Sequence, residues 1–171
     1  MSIDIEEDRE LIAKRIEEVK REMPHMNPSI EAMKVFNVNI VIEKNMSKCS
    51  LVVPMDGITN VHGTAFGGSI YCGCLLCGWS LVSCMLPSHS VVVQTASISY
   101  KKAVTGPYMI CAAELGEAEE KVLEDVQSLR KKHEKGKIQI TIKAFSSESI
   151  EQTELQNEQV IFQGLFHCAP H

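Results

Sequence analysis

Asn60, His62, Gly67 and Gly68 stand close together in one run, Asn60-Val61-His62-Gly63-Thr64-Ala65-Phe66-Gly67-Gly68-Ser69, and their types suit chemistry at a carbonyl group. Where a loop enters a helix through paired glycines, unencumbered backbone N–H groups and the positive end of the helix dipole face the loop and can polarise a carbonyl oxygen. Removing one such donor from a hydrolase costs about 3–4 kcal/mol in the transition state, so a preformed pair here would carry much of a catalytic effect. Paired glycines also serve close packing between helix and sheet, and both readings stay open. His62 is the nearest group able to take a proton, or else it is a hydrogen-bonded loop residue. Asp56, earlier in the loop, is either a second candidate base or a turn cap.

Other chemistry-bearing residues offer less. Cys72-x-Cys74-x-x-Cys77 invites a metal reading, but on a helix turning about 100° per residue the three side chains leave in different directions and do not converge on one ion. No metal is expected, and most of the seven cysteines read as small core residues. His89 follows Pro87, at the far end of a helix of about 19 residues and so roughly 28 Å from the glycines. Gln94, Thr95 and Ser97, on a strand after the helix, could reach across a dimer interface as ligand contacts. Tyr71 and Trp79, aromatics on a buried helix, read as core.

These residues need elements to hold them. The chain has 171 residues, a length for one domain, and its 17 Lys and Arg against 22 Asp and Glu give a net charge of −5, which disfavours binding to nucleic acid. From Gly57 to Tyr100 there are 44 residues without Asp, Glu, Lys or Arg. Phe66 to Leu86 is long enough to span a bilayer, but four glycines, three serines and the absence of flanking basic residues favour a helix buried in a soluble domain, so no membrane span is expected. The acidic start MSIDIEEDRE resembles neither a secretory leader nor a transit peptide, and a cytoplasmic location is expected.

Asp4 and Glu7 can cap a first amphipathic helix whose stripe is Ile5, Ile12, Ile16, Val19 and Met23, ending at Pro24. Phe36, Val38, Ile40 and Ile42 alternate as a strand with one buried face, and Cys49 to Val53 follows as a second strand. The uncharged helix runs from about Gly67 to Met85. Ser90 to Tyr100 and Tyr108 to Leu115 read as strands that form a hairpin. A surface helix over Glu119 to His133 stops at Gly136, and strands around Ile138 to Ile142 and Gln159 to Cys168 close the chain. The pattern predicts an α+β fold, a six-stranded antiparallel sheet wrapped around one long apolar helix. An N-terminal helix (1–24) precedes a single domain (25–171), in which the surface helix lies between strands four and five.

The run Asn60-x-x-Gly63-Thr64-Ala65-Phe66-Gly67-Gly68-Ser69, followed by Gly78-Trp79, resembles hotdog-fold thioesterases, in particular the thioesterase domain of the YiiD C-terminal type. The likeness extends from about Met23 through the final strand. It implies a homodimer joined edge to edge, with a tetramer also open, and acyl-thioester sites at the subunit interface. It implies no cofactor, coenzyme A or acyl carrier protein being part of the substrate. By the same likeness Asn60 helps to hold the thioester or the attacking water, Gly67 and Gly68 bind the carbonyl, and Thr64, Phe66 and Ser69 line the substrate. The sequence departs from the pattern at Leu75, near the helix position where many relatives carry an Asp or Glu as base or nucleophile. Hydrolysis of an acyl thioester is therefore the leading expectation. A protein that binds acyl thioesters without cleaving them, and a malonyl-thioester decarboxylase, are its rivals.

Overall fold

The computed structural model describes residues 8–43, 45–151 and 158–171; the expected capping pair Asp4 and Glu7, with Ile5, lies outside them. Helix α1 (Arg9–Glu22) turns its apolar stripe inward, burying Ile12 and Val19, with Met23 buried just beyond it. Pro24 follows in a single 3-10 turn, and Asn27 Oδ1 then accepts the Ser29 and Ile30 N–H groups at 3.0 and 3.1 Å to start the short α2 (Pro28–Ala32).

β1 (Phe36–Ile42) and β2 (Ser47–Pro54) pair antiparallel. The register shifts between Phe36 and Asn39, and Asn37 takes φ 48°. This irregularity breaks the expected alternation, so Ile40 is buried while Phe36 stays at the surface.

Helix α3 (Gly67–Met85) has the predicted limits and touches all six strands. Among the described helices it alone is long and apolar enough to cross a membrane, and it lies instead in the hollow of the sheet, mostly buried. Two of its glycines explain how closely the sheet approaches. A methyl group on Gly73 would lie 2.9 Å from Cys111 Sγ, and one on Gly78 would lie 2.9 Å from both Ile142 Cδ1 and Phe166 Cζ.

The remaining elements are β3 (His89–Tyr100), β4 (Tyr108–Leu115), α4 (Glu120–Lys132), β5 (Gly136–Ser147) and β6 (Val160–Pro170). The six strands form one antiparallel sheet in the order β1-β2-β4-β5-β6-β3. The predicted α+β architecture is present, with α4 between β4 and β5.

Two local expectations fail. β3 and β4 do not form a hairpin, because β5 and β6 lie between them. The connecting loop crosses the sheet end instead, and its backbone finds partners there: the Lys101 and Lys102 N–H groups donate to Gln159 O at 2.8 and 3.0 Å, and Thr105 N–H donates to Ser146 Oγ at 2.8 Å. Helix α4 ends earlier than Gly136, at His133, which takes the left-handed conformation (φ 51°) that a C-cap requires. Gly136 opens β5, where its missing side chain leaves room for Leu129.

Helix α1 lies against α3. The Arg15 guanidinium sits 5.7 Å from the Trp79 ring centroid, and Arg130 of α4 donates to Asp8 Oδ2 at 2.7 and 3.0 Å.

Candidate active site

The loop between β2 and α3 is built around one asparagine. Thr59 and Ala65 pair in a single antiparallel bridge, and Asn60 N–H donates to Thr64 O at 2.8 Å. The chain turns at Val61 to Gly63, where Gly63 takes φ 74°, a region that favours glycine. Asn60 Oδ1 accepts the backbone N–H groups of His62 (2.9 Å) and Thr64 (3.3 Å), and Asn60 Nδ2 donates to Thr64 Oγ1 at 2.8 Å. Both Oδ1 lone pairs are thereby engaged, and one Nδ2 hydrogen has no acceptor among the described residues. Val61 and His62 stand exposed at the tip. Asp56 is exposed, in a 3.7 Å ion pair with Lys34.

The loop delivers the chain to α3 in a fixed pose. Ala65 N–H donates to Val104 O at 2.9 Å and Phe66 N–H to Ile58 O at 2.7 Å. Phe66 O then accepts Ser69 and Ile70 N–H at 2.9 and 3.1 Å, and no side chain caps the helix. Among the described residues the Gly67 and Gly68 N–H groups have no acceptor, and they project from the positive end of the helix dipole.

Two aromatic side chains flank these N–H groups. A methyl on Gly68 would fall 2.6 Å from Phe66 Cε1, so the Phe66 ring lies across Gly68; Phe66 is 58% exposed. Tyr100, at the end of β3, donates its hydroxyl to Gly67 O at 2.8 Å. Burial pushes the Tyr100 phenol upward, with lesser contributions from Cys74 and Tyr71, so it keeps its proton at neutral pH. The four glycines of α3 differ in what they approach. Gly73 and Gly78 admit the sheet, whereas Gly67 and Gly68 face exposed aromatic rings.

Residues 21–169 match the protein family described as "Putative thioesterase (yiiD_Cterm)". The chain belongs to this thioesterase family. No curated protein matches it. Among solved structures, a Chlorobaculum tepidum protein of unknown function superposes with a TM-score of 0.71 at 17% identity, covering 91% of this chain and 94% of its own. A Shewanella oneidensis protein named as a putative thioesterase reaches 0.67 at 19% identity over 92% of this chain and 99% of its own. A thioesterase family protein from Silicibacter pomeroyi reaches 0.63 at 11% identity, covering 94% and 99%. At these identities the likeness is one of fold, the hotdog fold.

Other expected residues of this hotdog thioesterase-family domain fall in different places. Ser69 is half-buried in the first turn of α3, and Leu75, where the resemblance directs attention to a carboxylate, is half-buried against the core. Ala96 and Ile98 pack toward the core, so Thr95 and Ser97 point to the opposite face of the sheet, away from Gly67 and Gly68 of their own chain. Gln94 is the extra residue where the β3–β6 register shifts, and it is exposed. The helix cysteines diverge: Cys77 Sγ donates to Cys49 O at 3.4 Å, while Cys74 lies within hydrogen-bonding reach of Cys111, both as free thiols. Burial pushes the Cys77 thiol well above its ordinary value, and the bond to Cys74 followed by burial does the same for Cys111. The residue that sequence reasoning passed over is Tyr100. Its only signal was period-two spacing from Ala96 and Ile98, which puts it on the α3 side of β3.

Proposed function

We propose that this protein hydrolyses acyl thioesters carried on coenzyme A or an acyl carrier protein. The observation that carries the reading is the pair of acceptor-free N–H groups at the uncapped start of α3, in a chain of thioesterase family. The thioester oxygen sits on the Gly67 and Gly68 N–H groups, between Phe66 and Tyr100. Water, oriented by the remaining Asn60 Nδ2 hydrogen, adds to the carbonyl carbon and gives its proton to His62. Collapse of the tetrahedral intermediate breaks the C–S bond, and the proton passes on to the departing thiolate. Lys102, just beyond Tyr100, is exposed and supplies cationic charge suited to a polyanionic carrier, while Lys101 beside it pairs with Glu158 at 3.7 Å. Seven free cysteines fit a reducing compartment, and we place the protein in the cytosol.

The site is completed by a second copy of the chain. β3 is a sheet edge of 12 residues, exposing Val92 (57%) and Val93 (37%). An edge strand that meets its own copy about a twofold axis pairs antiparallel, which joins the two sheets and satisfies the free N–H and C=O groups of β3.

A panel of acyl-CoA substrates of graded length, malonyl-CoA included, tests the reading by release of free thiol. Full turnover by both Asn60→Ala and Gly68→Pro with every substrate would overturn the site assignment. The lack of any Asp or Glu in the sequence of α3 favours one rival, an acyl-thioester-binding protein. That reading predicts acyl-CoA co-purifying with the protein and no thiol release. Acetyl-CoA appearing from malonyl-CoA would identify a decarboxylase instead.

A further inference from the structure

Tyr100 is half exposed at the rim of the sheet, yet its hydroxyl is committed to one backbone atom, Gly67 O, at 2.8 Å. That oxygen belongs to the same peptide group as the Gly68 N–H. A peptide group is planar, so fixing its carbonyl fixes the direction of its N–H. A donor placed on the carbonyl also polarises the group and makes the N–H a stronger donor in turn.

We propose that Tyr100 is a positioning residue for the acyl-thioester site, holding and polarising the Gly67–Gly68 peptide so that Gly68 N–H donates to the thioester oxygen. The inference rests on the thioester reading for its ligand. The first turn of α3 needs such an outside anchor. Its first two residues are glycines, the weakest helix formers after proline, and no side chain caps it. Its inner ties are the bonds from Ser69 and Ile70 to Phe66 O and the helix ladder, which begins with the Tyr71 N–H on Gly67 O, so the Tyr100 hydroxyl is a second donor to that carbonyl. Tyr100 reaches the turn from a different element, the edge of the sheet, and so couples the site to β3.

The test is a cycle of Tyr100→Phe, Gly68→Pro and the double variant, measured with the best substrate of the panel. Tyr100→Phe keeps the ring and removes the hydroxyl. Its kcat falls about fivefold, the worth of one ordinary hydrogen bond, while KM stays within about twofold. In the Gly68→Pro background the same change has no further effect, because the N–H it acts on is gone. Losses that multiply in the double variant, or a Tyr100→Phe enzyme with wild-type kcat, would overturn the inference and leave the hydrolase reading intact. If the wild-type protein cleaves no thioester, that reading fails, and the NMR signals of the glycine amides decide the inference. Tyr100→Phe shifts the Gly68 amide and leaves Gly73 and Gly78 in place; an unmoved Gly68 signal overturns it.

Discussion

Replacing Gly67 by proline removes one N–H group from the start of α3 and disturbs little else. Gly67 is the first helical residue, the position where proline is best tolerated, and Phe66 before it already has φ −66° and ψ 131°, the extended conformation that a residue preceding proline prefers. The lost N–H had no acceptor among the described residues, so no hydrogen bond of the fold is broken. The new side chain meets Tyr100, since a Cβ on Gly67 stands 3.3 Å from its hydroxyl oxygen. Gly67→Ala makes the same contact and keeps the N–H, so the ratio of the two variants isolates the donor. If Gly67 N–H stabilises the developing oxyanion, kcat of Gly67→Pro lies about 100- to 1,000-fold below that of Gly67→Ala, equivalent to about 3–4 kcal/mol. A stability change under about 1 kcal/mol keeps the two melting temperatures within about 4 °C. Steady-state thiol release and differential scanning calorimetry on the three proteins measure both quantities. Equal kcat in the proline and alanine variants refutes the assignment of Gly67 N–H to the carbonyl.

Three further outcomes follow from the packing. Gly78→Ala forces a methyl against the buried Phe166 and Ile142 side chains, so it destabilises by about 1–2 kcal/mol in urea titration despite alanine's better helix propensity. Val93→Lys places a charge on the exposed β3 edge, shifts the sedimentation coefficient to that of a monomer and leaves the far-ultraviolet circular dichroism unchanged. His89 is buried, its Nε2 lies 3.0 Å from Glu134 O, and its Nδ1 has no partner among the described residues. Burial holds its pKa below the ordinary histidine value, and His133 and His171 lower it further. The unfolded chain therefore binds the proton more readily, so stability is full above about pH 6.5 and falls as the pH drops through the folded pKa. Chemical denaturation across pH 5 to 8 shows this slope, and His89→Gln flattens it.

The fold was legible where burial is one-sided or complete. Forty-four residues without a charge have no route to water except through a wrapped helix and its neighbours, and α3 accordingly begins and ends where composition placed it. Pairing was less legible, because β3 and β4 are adjacent in sequence and the crossing loop that separates them depends on Gln159 and Ser146, remote residues with no local signature. Asn60 was visible as a functional candidate, but its loop-bracing bonds to His62 and Thr64 depend on the turn that Gly63 allows. Tyr100 escaped notice because its role lies in a single bond spanning 33 residues.

The strand order has a consequence for how the chain comes into being. β3 has one ladder neighbour, β6, which is the last strand of the domain to be synthesised. During translation α3 and β3 therefore emerge well before the strand that locks β3 in place, and the 19-residue apolar helix lacks part of its wrapping until residues 160–170 are made. Such late, long-range closure makes folding slow and leaves apolar surface open to nascent-chain chaperones, so truncation inside β6 would yield an aggregating chain rather than a smaller folded one.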